Sequence, residues 1–188
     1  LLAGAEGGIV DDAAVVSAML SERDILQGSR AFTQDARRQH GIASERSDLG
    51  HRLDRFRWAA SERFARTPLQ RDGLDADTVQ RVARARQQLV DRAKPFAKQL
   101  RLSDADREKA LERAILLGFP DRVARRRKKA NAESVELILA GGGSAQQSPQ
   151  SLVRDAEWLV LVDVEERGSQ TAPVARLLSA IEPDWLLD

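Results

Sequence analysis

Six cations stand close together at Arg122, Arg125, Arg126, Arg127, Lys128 and Lys129. The window from Phe119 to Asn131 holds one acid, Asp121, and so carries a net +5. Residues 132–188 hold ten acids against Arg154, Arg167 and Arg176, a net −7. Guanidinium groups suit phosphate because their planar fork matches it with two parallel hydrogen bonds. If helical spacing runs on from Leu111, then Arg122, Arg125, Arg126 and Lys129 share one face at steps of three and four. Such a face repels itself unless acids or phosphates neutralise it. Two neutralising partners compete: the acids of the following segment, ranked first, and a phosphate backbone. A second basic face, Arg81, Arg84, Arg86 and Arg92, reads as the solvated side of an amphipathic helix.

Other chemistry is sparse. Trp58, Trp158 and Trp185 are the flat groups able to stack on a base. Trp158 and Trp185 read as core, and Trp58 as either a domain contact or exposed. Ser21-Glu22-Arg23-Asp24 groups two carboxylates with a hydroxyl, and reads as a helix end that pairs acid with arginine. His40 and His51 are too few for most zinc sites, and His51 reads as a surface residue. Gly141-Gly142-Gly143-Ser144 has no lysine after it, so it is a hairpin turn rather than a phosphate-cradling loop. No catalytic residue and no metal ligand set is assigned.

The composition suits a globular chain. Of 188 residues 42% are apolar and 31% charged, with an overall charge of +1. Cysteine is absent, which excludes disulfides and fits a reducing compartment. No apolar run approaches the roughly 18 residues of a membrane span, so no membrane partner is expected. The start, Leu1-Leu2-Ala3-Gly4-Ala5-Glu6, lacks a signal peptide's basic region and apolar run and reads as a cut through a larger protein. Arginine outnumbers lysine 25 to 5, a bias that a GC-rich genome produces without any functional cause.

The elements that must position these residues change character along the chain. Asp11 to Ser21 is a helix with Val15, Val16, Met19 and Leu20 inward and Asp11 or Asp12 as its cap. Ser47 to Phe64 sets Leu49, Leu53, Phe56, Ala60 and Phe64 on one stripe, and Arg52, Arg55, Glu62 and Arg63 on the other side. Thr67-Pro68 closes it. Asp75 caps a helix whose inner face is Val79, Val82, Ala83, Leu89 and Val90, ending at Pro95. Ser103 opens another, with Asp104, Asp106 and Glu108 at its positive end. A short helix is expected near Phe32 to His40. From about residue 132 the pattern becomes strand-like: Val135 to Leu139, then Glu157 to Glu165, then Ala172 to Ile181, with a polar, turn-rich stretch from Ser144 to Asp155. Pro183 starts a helical turn. The change of period near Ala130 to Ser134 divides the chain at 1–130 and 131–188.

AAVVSAMLSERD at Ala13 to Asp24, AILLGFPDRVARRR at Ala114 to Arg127, EWLV at Glu157 to Val160 and AIEPDWLL at Ala180 to Leu187 together resemble the C-terminal region of the HrpB family of DEAH-type RNA helicases. Ala13 to Asp24, AAVVSAMLSERD, resembles the opening helix of its helicase-associated ratchet domain. Ala114 to Arg127, AILLGFPDRVARRR, resembles its A-x-x-x-G-F-P-D-R-[IV]-A-x-R-R segment. Val135 to Gly141 resembles its strand and glycine turn, though without the usual aromatic. Glu157-Trp158-Leu159-Val160 is similar to its E-W-L-V-V-A-D strand, and Ala180 to Leu187, AIEPDWLL, to the A-I-x-P-E-W-L element shared by DEAH helicases. The stretch Arg30 to Arg46 has no counterpart.

The resemblance implies an α+β chain: an N-terminal helical bundle, ratchet-like, followed by a small, partial OB-like β domain too short to close a barrel. It implies a parent enzyme that hydrolyses ATP to move along RNA, with the ATP and magnesium sites in motor domains upstream of Leu1 and no cofactor in this fragment. The fragment itself is then no enzyme. It is a cytoplasmic accessory region forming part of a nucleic-acid channel. The expected partners are single-stranded RNA, with DNA as the alternative, and the motor domains of the same polypeptide. The candidate contacts are Arg122, Arg125, Arg126, Arg127, Lys128 and Lys129. The competing reading is a helical protein-interaction adaptor that binds no nucleic acid.

Overall fold

The computed structural model describes residues 1–27, 46–127, 135–167 and 171–187. The helix expected near Phe32 to His40 lies outside them. The chain forms two compact units, neither continuous in sequence: 1–43 with 50–114, and 44–49 with 115–188. This division differs from the one read at residue 130, because strand structure begins earlier than the change in apolar period.

The first unit is helical. It contains α1 (Leu2–Glu6), α2 (Val10–Leu20), most of α3 (Asp48–Ser61), α4 (Arg66–Arg71), α5 (Ala76–Ala93) and most of α6 (Asp104–Gly118). Helix α2 is buried nearly all round and packs most extensively on α5, whose Val79 and Val82 are fully enclosed. Burying a side chain of that size contributes roughly 1.5–3 kcal/mol. Helices α1 and α2 approach so closely that a Cβ on Gly4 would lie 2.3 Å from Ala13 Cβ.

Caps explain most boundaries. Asp75 Oδ1 accepts the Thr78 N–H at 2.7 Å, as the sequence indicates. Ser103 Oγ accepts the Asp106 N–H at 3.2 Å at the start of α6. Neither Asp11 nor Asp12 caps α2: Ile9 holds that position without a side-chain bond, and both acids lie in the first turn. Thr67-Pro68 does not close α3. The helix stops at Ser61, after which Arg63 and Phe64 take positive φ, and Pro68 falls within the first turn of α4. That position tolerates proline because its N–H would be unsatisfied anyway.

Half of the expected polar side of α3 is buried, while Glu62 and Arg63, just past its end, are exposed. Arg52 and Arg55 are enclosed and bonded to Asp24 and Asp72. His51 is 2% exposed rather than solvated. The Arg52 and Arg55 partners lie 28 and 17 residues away in sequence, so no local pattern announces them.

The second unit is a closed five-stranded barrel. Its strands are β1 (Val123–Arg127), β2 (Glu136–Leu139), β3 (Ser144–Gln147), β4 (Trp158–Arg167) and β5 (Thr171–Ala180), in the order β1-β2-β3-β5-β4, with β4 returning to β1. Strands β3 and β5 run parallel and every other pair antiparallel. Ala124, Leu137, Leu159, Leu161, Ala175 and Leu178 fill the interior. Register shifts along β4 and β5, the first beside Val162, bend the long strands. The tight β2–β3 turn requires Gly142 and Gly143 at φ +98° and +82°.

Two expectations are corrected here. The β part closes, where it was read as too short to do so. The length is supplied by β1, read as helix, and by β3, read as irregular. A third contribution comes from far upstream. Asp48, almost fully buried, accepts hydrogen bonds from Ser151 Oγ (2.8 Å), Leu152 N (2.7 Å) and Leu178 N (2.8 Å). Ser47 forms an antiparallel bridge with Ser179, and the Ala180 N–H donates to the Arg46 carbonyl at 2.7 Å. Residues 46–49 therefore belong to the barrel. Among the described residues no helix is long and apolar enough to cross a membrane.

Candidate nucleic-acid interface

Strand geometry redistributes the arginine cluster. Alternation along β1 turns Ala124 and Arg126 inward and Arg125 and Arg127 outward, so the single cationic helix face does not exist. Each arginine has its own task.

Arg122 precedes β1. Its guanidinium donates to the Val162 carbonyl at 3.0 Å, where the β4–β5 ladder slips, and lies over the Phe119 ring at 5.3 Å. It braces the barrel. Arg126 is 8% exposed and donates to Ala156 O (2.7 Å), Gln147 Oε1 (2.6 Å) and Val153 O (3.0 Å). Burial pulls its pKa below the ordinary arginine value, against the field of Asp155. An arginine nonetheless stays charged at neutral pH, so this cation is held by neutral acceptors. Lys128 and Lys129 lie outside the described residues, in the chain between β1 and β2.

Arg125 and Arg127 are the outward pair, with side chains 62% and 60% exposed. Arg125 stands opposite Ile138 on β2 and opposite Trp158 on β4. Cross-strand neighbours of this kind lie within side-chain contact, so Ile138, Arg125 and Trp158 form a row across three strands. The Arg125 guanidinium lies 5.5 Å from the Trp158 ring centre, in cation–π range. Arg127 stands opposite Glu136 in the adjoining row. Beyond Ile138 and Glu136, β3 continues these rows with Ser144 and Gln146. A groove of about 530 Å³ is lined by Arg125, Arg126, Arg127, Ile138 and Glu157.

Acids accompany the outward arginines, as the pairing alternative requires. Arg125 bonds Glu157 at 2.7 Å, and Arg127 reaches Glu136 at 3.5 Å. Both pairs are exposed enough that water competes with them, and such pairs contribute only about 0–1 kcal/mol.

Ile138, Glu136 and Glu157 were not among the predicted contacts, and Trp158 was read as core. It is half-buried on the outer side of the barrel, while its neighbour Leu159 fills the interior. The signal lay in the register: once β1 is a strand, the residues opposite Arg125 follow. The other stackers lie elsewhere. Trp58, on α3, is half-buried with the Arg55 guanidinium 5.1 Å from its ring, and Trp185 sits half-buried in a single 3₁₀ turn, Pro183–Leu186.

On the second basic face, Arg81 donates to Glu22 at 2.8 Å and Arg86 to Asp11 at 2.5 Å. Asp24 receives Arg52 and caps the Leu26 N–H at 3.1 Å, so both acids of the Ser21–Asp24 cluster serve internal bonds. No family model matches the chain, and neither does any curated protein.

Proposed function

We propose that this chain is the accessory region of an ATP-dependent RNA helicase of the HrpB type, and that its barrel lines part of the channel for single-stranded RNA. The observation that carries the reading is the Ile138–Arg125–Trp158 row, with Arg127 beside it, on the outer side of a closed barrel. Single-strand binders combine a cationic track for phosphates with flat groups for bases, and this row sets the Arg125 guanidinium beside the Trp158 ring.

The strand order supports it. A five-stranded barrel closed by β1 on β4, with β3 parallel to β5, is compatible with an OB-type barrel. Barrels of that type bind oligonucleotides on the face of strands 2 and 3 and on the loops joining strands 1 to 2 and 4 to 5. Ile138 lies on β2, and Lys128 and Lys129 fall in the chain between β1 and β2. The helical unit is then the ratchet-like bundle of the same region. The ATP and magnesium sites belong to motor domains elsewhere in the polypeptide, and the chain works in the cytoplasm.

The test is a titration of labelled single-stranded RNA with the 188-residue chain at stepped salt. Arg125→Glu with Arg127→Glu should weaken binding at least tenfold and flatten the salt dependence by about two units of slope. Unchanged affinity and slope would remove the reading. Arg126 is unsuitable for this test, because its substitution would disturb the buried bonds to Gln147 and Val153.

A further inference from the structure

Arg125 already holds an anion. Its Nε and Nη2 both approach Glu157 Oε1, at 2.8 and 2.7 Å. Nε donates a hydrogen bond to that oxygen, and Nη2 adds an ion-pair contact with it. Glu157 is anchored there by the ladder, since its own carbonyl accepts the Arg126 N–H at 2.8 Å. Its side chain is 56% exposed and lines the same groove as Arg125 and Ile138.

We infer, on the strength of the RNA reading above, that Glu157 is the built-in competitor of this groove: its carboxylate holds the place at Arg125 that a backbone phosphate takes, and a ligand enters by exchange. The exchange is feasible because an exposed ion pair shifts an equilibrium by no more than about fivefold. It is favourable for a phosphodiester, whose two free oxygens accept the guanidinium fork in parallel. Arg127 adds a second position. Its contact with Glu136 is 3.5 Å long, so the next phosphate along a strand meets a weakly held guanidinium. A repeating polyanion collects both exchanges, and a single anion only one. The glutamates therefore hold the groove against single anions more than against a strand.

A double-mutant cycle tests this on the whole chain: wild type, Glu157→Gln, Arg125→Gln and the double variant, each titrated with an oligouridine of ~12 nucleotides, within the span such barrels cover, and with a polyglutamate peptide. Removing the competitor should tighten oligouridine binding roughly three- to fivefold and steepen its salt slope by up to about one unit. The same change should raise polyglutamate binding by about the same factor, because the pair that is broken is the same. In the Arg125→Gln background, Glu157→Gln should produce no gain. An equal gain with and without Arg125 would mean that Glu157 acts only as a distant charge, and would overturn the exchange while leaving RNA binding intact. An oligouridine that binds neither wild type nor Glu157→Gln would instead remove the RNA reading, and the exchange with it.

Discussion

Two pairs of arginines, one pair in each unit, meet opposite fates. In the helical unit, Arg52 and Arg55 have side chains 6% and 7% exposed, and each is joined to an aspartate brought in from a distant part of the chain. Asp12 likewise receives Arg57 at 2.9 Å and Arg107 at 3.1 Å. On the barrel, Arg125 and Arg127 stand out in solvent over glutamates on neighbouring strands. A buried pair is fixed, because separating it strands a charge in low dielectric. An exposed pair is exchangeable, since water or another anion can replace either partner. The same residue type therefore acts as mortar in one region and as a contact surface in the other. Arg122 and Arg126 are the exceptions within the barrel unit, and Arg126 gives the sharpest way to break the comparison.

Arg126→Leu should cost about 2–4 kcal/mol in chemical denaturation, because Gln147 Oε1 and Ala156 O lose their donor and Val153 O keeps only Gln147 Nε2. A loss below about 0.5 kcal/mol would place Arg126 with its exposed neighbours. Arg52→Ala should cost less, about 1–2 kcal/mol, since the abandoned Asp24 is 35% exposed and water can reach it. Asp75→Ala should cost about 1 kcal/mol, the usual value of a lost N-cap. That last contribution depends on pH. The Thr78 N–H holds the Asp75 carboxyl below its ordinary 3.8. The cap's electrostatic benefit is thus fully present above pH 3.8 and fades as pH falls through the lower folded value. The wild-type and Asp75→Ala stability curves should converge on acidification, and a constant gap would count against the carboxylate as its source.

The sequence makes some of this visible. Asp75 precedes an unbroken 3.6-residue pattern, so both the cap and α5 are legible. Trp158 to Val162 is a continuous run of large and β-branched apolar residues, and β4 follows. Strand β1 was hidden because its inward positions are Ala124 and Arg126, and a buried arginine leaves no apolar signal. Strand β3 was hidden for the same reason, since its inward residues are Ala145 and Gln147. Both strands are fixed by partners far along the chain, and the row at Arg125 could not be assembled until they were in place. On α3, charge in the sequence implied solvent. It misled at Arg52 and Arg55, because a well-paired arginine buries its long stem and its head together.

Residues 46–49 carry a last consequence. Asp48 receives two backbone amides and a hydroxyl from segments that follow it by more than 100 residues. The barrel is therefore not a cassette that can be lifted out at residue 115. Excised there, it would lose the acceptor of Leu152 and Leu178 and the bridge at Ser179. During synthesis, too, this early stretch must wait until Leu178 has emerged before it finds its place. Contacts so distant in sequence slow folding, so the barrel should be the last part of the molecule to become native.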